Sequence, residues 1–301
     1  MANIAIIGSG NLGSCIAYTV ALKGLATRLI LHDKAEGLAE GHVLDLVQAF
    51  PSEQIDIRAG SLDDCLDSDI AIVSAGLARS PNTESRLELA ATNLKIIKGI
   101  AQGMHGYEGI AIVLTNPTDV MNYFFQKHSG IDRHRVIGSA GLLDTARFRS
   151  ELAKASGLQP HQIDAMVIGE HGDRQVPLFG LALANGKGIN VPEDVKRAVR
   201  DGMRNMALDV IRKKGATIYG PASMTAMVAE SIVKDGKQVL PCSAVLDGEY
   251  GLSGISIGVP CVIGTGGIEG VVEFGLDWED EVALKKAAES LKQSIGALET
   301  G

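Results

Sequence analysis

For about its first 140 residues the chain alternates short apolar runs with longer stretches of helical spacing. Asn3-Ile4-Ala5-Ile6-Ile7 has no alternating polar face, which predicts a central strand covered on both sides. Similar runs recur at 28–32, 69–74, 110–114 and 135–138, and Ile55-Asp56-Ile57 reads as a shorter strand. Between them lie helical patterns: Leu12, Ile16, Thr19 and Val20, then 37–49, 87–100 and 119–127, with Gly24 and Gly130 as stops. Strand–helix alternation at this pace predicts an α/β fold with a doubly wound parallel sheet and right-handed crossovers. After residue 140 the pattern changes. A helix is expected near 142–156, and Val195, Val199, Met203, Met206 and Val210 form the stripe of a long one. Residues 239–244 and 255–263 read as antiparallel strands. The last helix starts at Asp277 as N-cap and carries Leu284, Leu291 and Ile295 on one face. The expected organisation is a dinucleotide-binding domain over 1–140 and a second, α+β substrate domain over 141–301.

The first strand runs into Gly8-Ser9-Gly10-Asn11-Leu12-Gly13, a G-x-G-x-x-G placed between strand and helix. Gly8 permits the tight turn, Gly10 lets a diphosphate approach the backbone, and Gly13 lets the helix pack close to the strand. The helix N-terminus favours the anion. Asp33 follows 20 residues beyond Gly13 at the end of the second apolar run. A carboxylate there accepts hydrogen bonds from the adenosine ribose of NAD and repels the 2′-phosphate of NADP. Taken alone, such a motif is a glycine-rich turn; its context makes it a cofactor site.

Composition narrows the class. Hydrophobic residues are 46% of the 301 and charged residues 21%, as in globular proteins. A net charge of −8 argues against general nucleic-acid binding. The chain shows no basic-then-apolar leader and no run long enough to span a bilayer, so no membrane partner is expected. Cys15, Cys65, Cys242 and Cys261 lack metal-site spacing and read as reduced thiols of a cytoplasmic protein; no metal is expected.

Three strings carry candidate chemistry. Gly169-Glu170-His171-Gly172-Asp173 sets a histidine between glycines after an apolar run, and histidine can give or take the proton of a secondary alcohol near neutrality. By itself such a histidine is more often an ordinary loop residue. Asp144 and Arg147, three apart on a predicted helix, share a face. A buried aspartate fixes an imidazole's tautomer, and an arginine offers a planar fork to a carboxylate; the plain alternative is a surface ion pair. Arg79 and Arg86 flank a polar stretch after a strand end, where two cations could close on an anion or remain solvated.

These strings, with 75–79, 115–117, 214–222 and 248–251, occur in the order found in the lactate/malate dehydrogenase family, which the chain resembles over nearly its whole length. The resemblance implies that His171 exchanges the proton and Asp144 holds it. Arg147 would grip the substrate C1 carboxylate, Arg86 polarise the reacting carbonyl, and Asn116 bond substrate and help place the nicotinamide. Ser9, Asn11, Leu12, Asn93, Leu114 and Thr115 would border the cofactor, NAD. Arg79 stands where the malate branch has arginine and the lactate branch usually glutamine, so the resemblance implies malate and oxaloacetate as substrates. A lactate or other 2-hydroxy-acid dehydrogenase is the alternative, and a non-catalytic NAD-binding regulator a remote one. The family also implies a homodimer or homotetramer. One departure stands out: the stretch between Arg79 and Arg86 is one residue longer than usual, with Asn82 where glycine is common.

Overall fold

The computed structural model describes residues 1–77 and 86–300. The first part of the chain builds β1 (Ala2–Ile7), α1 (Asn11–Leu22), β2 (Ala26–His32), α2 (Leu38–Ala49), β3 (Asp56–Ala59), α3 (Leu62–Cys65), β4 (Ile70–Val73), α4 (Arg86–Gly103), β5 (Ile110–Val113), α5 (Thr118–Ser129) and β6 (Val136–Gly138). The strands are parallel neighbours in the order β3-β2-β1-β4-β5-β6. Reversal of the strand order between β1 and β4, with all strands parallel, leaves a crevice at the strand ends, where open α/β sheets bind ligands. The apolar runs are apolar because both faces are covered: Ile4, Ile6, Ile72, Ile112 and Val113 have no exposed surface. Truncating one such side chain to alanine costs ~2–5 kcal/mol.

The second part comprises α6 (Gly141–Ser156), β7 (Ile163–Asp164), β8 (Val167–Gly169), β9 (Gln175–Pro177), β10 (Leu183–Ala184), β11 (Lys187–Gly188), α7 (Glu193–Lys214), α8 (Tyr219–Val233), β12 (Gln238–Asp247), β13 (Ser253–Gly264), β14 (Gly267–Val271) and α9 (Trp278–Thr300). β12 and β13 form the antiparallel pair expected over 239–244 and 255–263. The sheet does not stop at β6. β12 joins it antiparallel at Ser243↔Gly138, and the order continues β12-β13-β8-β9. A Cβ on Gly138 would lie 2.6 Å from Ser243 Cβ, so only glycine allows the two strands this close. The main hydrophobic core accordingly runs from Ile4 to Leu298, while a smaller one gathers Phe148, Leu152, Phe179, Val199 and Met203 under α7.

Two helix details follow from local chemistry. Asp277 Oδ1 accepts the Asp280 N–H at 2.9 Å, the cap expected for α9. The short α3, absent from the sequence reading, is nucleated by a capping box in which Ser61 and Asp64 satisfy each other's backbone N–H groups. Along the α7 stripe only Val199 and Met203 are fully buried, so that helix covers the second core with its N-terminal half. No helix among the described residues is long and apolar enough to cross a membrane.

Candidate active site

The loop after β1 shows why its glycines are needed. Gly8 has φ +96°, and a Cβ there would overlap Ala75 on the loop after β4. On Gly13 a Cβ would overlap the Gly8 carbonyl, whereas Gly10 faces open space. Asp33, just past β2, ties this loop down: its Oδ2 accepts the Ser9 N–H at 2.8 Å and its Oδ1 the Ala35 N–H at 2.9 Å. Ser9 Oγ is buried with no partner among the described residues. An open approach at Gly10, an orphaned hydroxyl and a carboxylate at the β2 end fit a dinucleotide diphosphate and ribose.

Across the crevice, the ends of β4 and β5 are bracketed by one side chain. Asn93 of α4 is fully buried. Its Oδ1 accepts the Leu77 N–H at 2.7 Å, and its Nδ2 donates to Leu77 O at 3.1 Å and to Asn116 O at 2.7 Å. Asn93 thus fixes backbone at the cofactor end of the sheet. Thr115 Oγ1 donates to Ala75 O at 2.6 Å, which joins the same two loops. Leu114 is buried, and Asn116 precedes a cis peptide to Pro117. Asn116 Oδ1 accepts from Thr118 Oγ1 at 3.3 Å. Arg86 is the first residue of α4, and Arg79 lies outside the described residues.

The histidine, aspartate and arginine singled out from sequence come together. Asp144 and Arg147 lie on the first turns of α6, and His171 follows β8. Gly169, at φ +89°, turns the chain there, and β13 passes so near that Gly258 can carry no Cβ without reaching Gly169 O. Asp144 Oδ2 lies 2.6 Å from His171 Nδ1, and Asp144 Oδ1 accepts from Arg147 Nη1 at 3.2 Å. The Asp144 side chain is 2% exposed, against 20% for His171 and 11% for Arg147, so the carboxylate is sealed and its two partners reach outward. Burial pulls the His171 pKa down. The charge and hydrogen bond of Asp144 and the charge of Asp119 outweigh burial and the repulsion of Arg147, so it stands above the ordinary histidine value.

Asp119, which sequence reasoning took only as the start of α5, belongs to this cluster. Its Oδ2 accepts the His171 backbone N–H at 2.7 Å, and its Oδ1 accepts from Ser243 Oγ at 2.6 Å. Nothing in the local sequence marks it, because its partners lie 52 and 124 residues away.

The four cysteines are unpaired thiols. Burial pushes Cys65 and Cys261 up to about 12 and Cys242 also upward, which leaves them inert as nucleophiles.

A nucleotide loop on a doubly wound sheet, facing a histidine–carboxylate–arginine cluster, is the arrangement of a nicotinamide-dependent oxidoreductase. The sequence profile of the lactate/malate dehydrogenase NAD-binding domain matches residues 2–138, and that of the family's α/β C-terminal domain matches 142–300. The chain belongs to the lactate/malate dehydrogenase family, and NAD is its cofactor. It is 38% identical to malate dehydrogenase of Geobacter sulfurreducens over 315 residues, covering 98% of each chain. It is 36% identical to L-lactate dehydrogenase of Lactobacillus helveticus over 300 residues, covering 96% of this chain and 93% of that one. Its fold superposes on lactate dehydrogenase of Cryptosporidium parvum, solved with lactic acid and NAD, with a TM-score of 0.93 at 31% identity, covering 99% of this chain and 98% of that one.

Proposed function

We propose that the protein is an NAD-dependent malate dehydrogenase that interconverts malate and oxaloacetate. The reading of the reaction rests on Asp144, which binds His171 and Arg147 with its two oxygens. Within the family, Arg79 carries the choice of malate, since a dicarboxylate in a water-poor site requires a second cation that a monocarboxylate would leave unpaired. A lactate or other 2-hydroxy-acid dehydrogenase is the second reading, favoured by relatives such as the Lactobacillus enzyme. We also infer a cytosolic enzyme whose cofactor half is 1–140 and whose substrate half is 141–301.

The residues divide the work as follows. Arg147 takes the C1 carboxylate through its planar fork. Asp144 keeps a proton on Nδ1 of His171, so Nε2 receives the C2 hydroxyl proton during oxidation and returns it during reduction. NAD, held by the Gly8–Gly13 loop and Asp33, would supply the hydride chemistry at C2. Arg86 polarises the carbonyl, Arg79 pairs with the distal carboxylate, and Asn116 orients substrate beside the cofactor. Assay of oxaloacetate, pyruvate and branched 2-oxo acids with NADH tests this. Oxaloacetate should be preferred in kcat/KM by about 30-fold or more over pyruvate, the worth of one buried charge pair. An equal or better rate with pyruvate would sink the malate reading and leave the family assignment standing.

Asp33 should set the preference for NADH over NADPH through repulsion of the extra phosphate. Asp33→Ser is expected to narrow the ratio of kcat/KM for the two coenzymes. Absolute activity will also fall, because the Ser9 and Ala35 N–H groups lose their acceptor, so the ratio is the informative quantity. An unchanged ratio would mean that Asp33 only braces the loop.

A further inference from the structure

Two carboxylates, not one, serve His171. Asp144 meets the ring; Asp119 meets the backbone of the same residue from the other side, out of α5. Asp119 is 2% exposed and Ser243 1%, so both sit where an unpaired charge would be costly. Among the described residues, Asp119 nevertheless takes neutral donors, the His171 N–H and the Ser243 hydroxyl. Ser243 is held in turn. Its carbonyl accepts from Nδ2 of Asn122, one turn along α5 from Asp119, at 3.2 Å, and that same Nδ2 donates to Ser256 Oγ of β13 at 2.9 Å. The junction between β6 and β12 is therefore wired to the histidine loop through α5.

Resting on the proton-exchange role of His171, we propose that Asp119 is a positioning residue for it: Asp119 fixes the histidine's main chain and places a second negative charge beside the imidazolium, while Ser243 holds that carboxylate in place. Among the described residues, the charged groups facing His171 are Asp144 and Arg147 from α6 and Asp119 from α5; those facing Asp119 are His171 and Glu170 of the loop after β8. Burial raises Asp119 to about 6, less than it otherwise would because Ser243 and His171 donate to it. At neutral pH the charge is largely present, and it favours the protonated ring.

Asp119→Asn isolates the charge. The amide oxygen can still accept from the His171 N–H, and the amide nitrogen can donate to Ser243, whose hydroxyl then accepts. Titrating the histidine ring by NMR in the substrate-free protein reads the effect without turnover. His171 is identified among the seven histidines as the signal absent from His171→Asn. The His171 midpoint in Asp119→Asn should fall by about one pH unit, and the pH midpoint of 2-oxo-acid reduction should fall with it. Ser243→Ala should move both in the same direction by less, since an unsupported buried carboxylate holds its charge less well. A merely structural role would lower the melting temperature and leave both midpoints where they were. A folded Asp119→Asn protein with an unmoved His171 midpoint overturns the proposal; if that variant does not fold, an unmoved midpoint in Ser243→Ala does so. Retained turnover in His171→Asn would instead overturn the reading of the site, while the NMR midpoint still decides the role of Asp119.

Discussion

Replacing His171 with asparagine is expected to lower kcat for both directions by about 10²–10⁴-fold, the usual worth of a positioned general acid–base group. NADH affinity should barely change, because the nucleotide loop and Asp33 belong to other strand ends. The substitution is chosen to preserve the fold. Asp144 is sealed from solvent, and removing its partner outright would strand a buried charge; the asparagine amide keeps a donor for it. The pH dependence carries an independent check. Reduction needs the imidazolium, so its rate should fall as pH rises through the His171 pKa. Asp144 and Asp119 hold that pKa above the ordinary value, so the fall should come at a pH higher than about 6.5. Oxidation needs the neutral ring and should rise over the same range. Asp144→Asn should move both profiles to lower pH and reduce kcat. A His171→Asn protein that keeps near-normal kcat would place the proton exchange elsewhere.

Different parts of this molecule were legible in the sequence for different reasons. The parallel strands declare themselves because burial on both faces forbids polar residues, and the loop at 8–13 because its backbone geometry excludes side chains locally. Both are short-range constraints. α3 rests on a local signal too: Ser61 with Asp64 three residues on is a capping signature, though the helix it starts is only four residues long. The pairing of Asp144 with His171, 27 residues apart, could be expected from the order of family motifs but not from spacing alone. The change of pattern near residue 140 is real in the sequence, yet the sheet passes through it. Only the contact of Gly138 with Ser243 tells that β12 extends the first sheet, and no local pattern encodes such a contact. Asp119 was hidden for the same reason. An aspartate in the first turn of a helix already has an adequate explanation in the helix dipole, so nothing in the string pointed to a histidine loop and a strand brought up beside it. The resemblance implies a place for Asn93 beside the cofactor, but its bracketing of Leu77 with Asn116 joins residues 16 and 23 positions away, which no local pattern encodes.

Arg79→Gln is expected to reduce kcat/KM for oxaloacetate by about 30-fold or more and to raise that for pyruvate. The segment carrying Arg79 leaves from Leu77, whose N–H and carbonyl are both held by Asn93, and enters α4 at Arg86. Asn93 holds Asn116 as well, so the start of this segment is fixed against the β5 end, where substrate is proposed to lie. With a dicarboxylate bound and water excluded, the Arg79 guanidinium would meet the distal carboxylate in a charge-assisted pair. Truncating one partner of such a pair costs ~2–5 kcal/mol, much of it from stranding the other charge. At roughly 1.4 kcal/mol for each tenfold in rate, the lower end already gives the stated loss. For pyruvate the sign reverses, because a site that closes with Arg79 on the substrate would bury an arginine with nothing opposite it, and glutamine would remove that cost. The additional residue between Arg79 and Arg86 supplies the competing outcome. If it turns Arg79 away from substrate, the variant will change oxaloacetate and pyruvate kinetics by the same small factor. Substrate choice would then rest on other residues of the site, and the 2-hydroxy-acid reading would replace malate. Measuring both substrates on the same variant separates these cases, since a general disturbance lowers both and only a lost charge pair drives them apart.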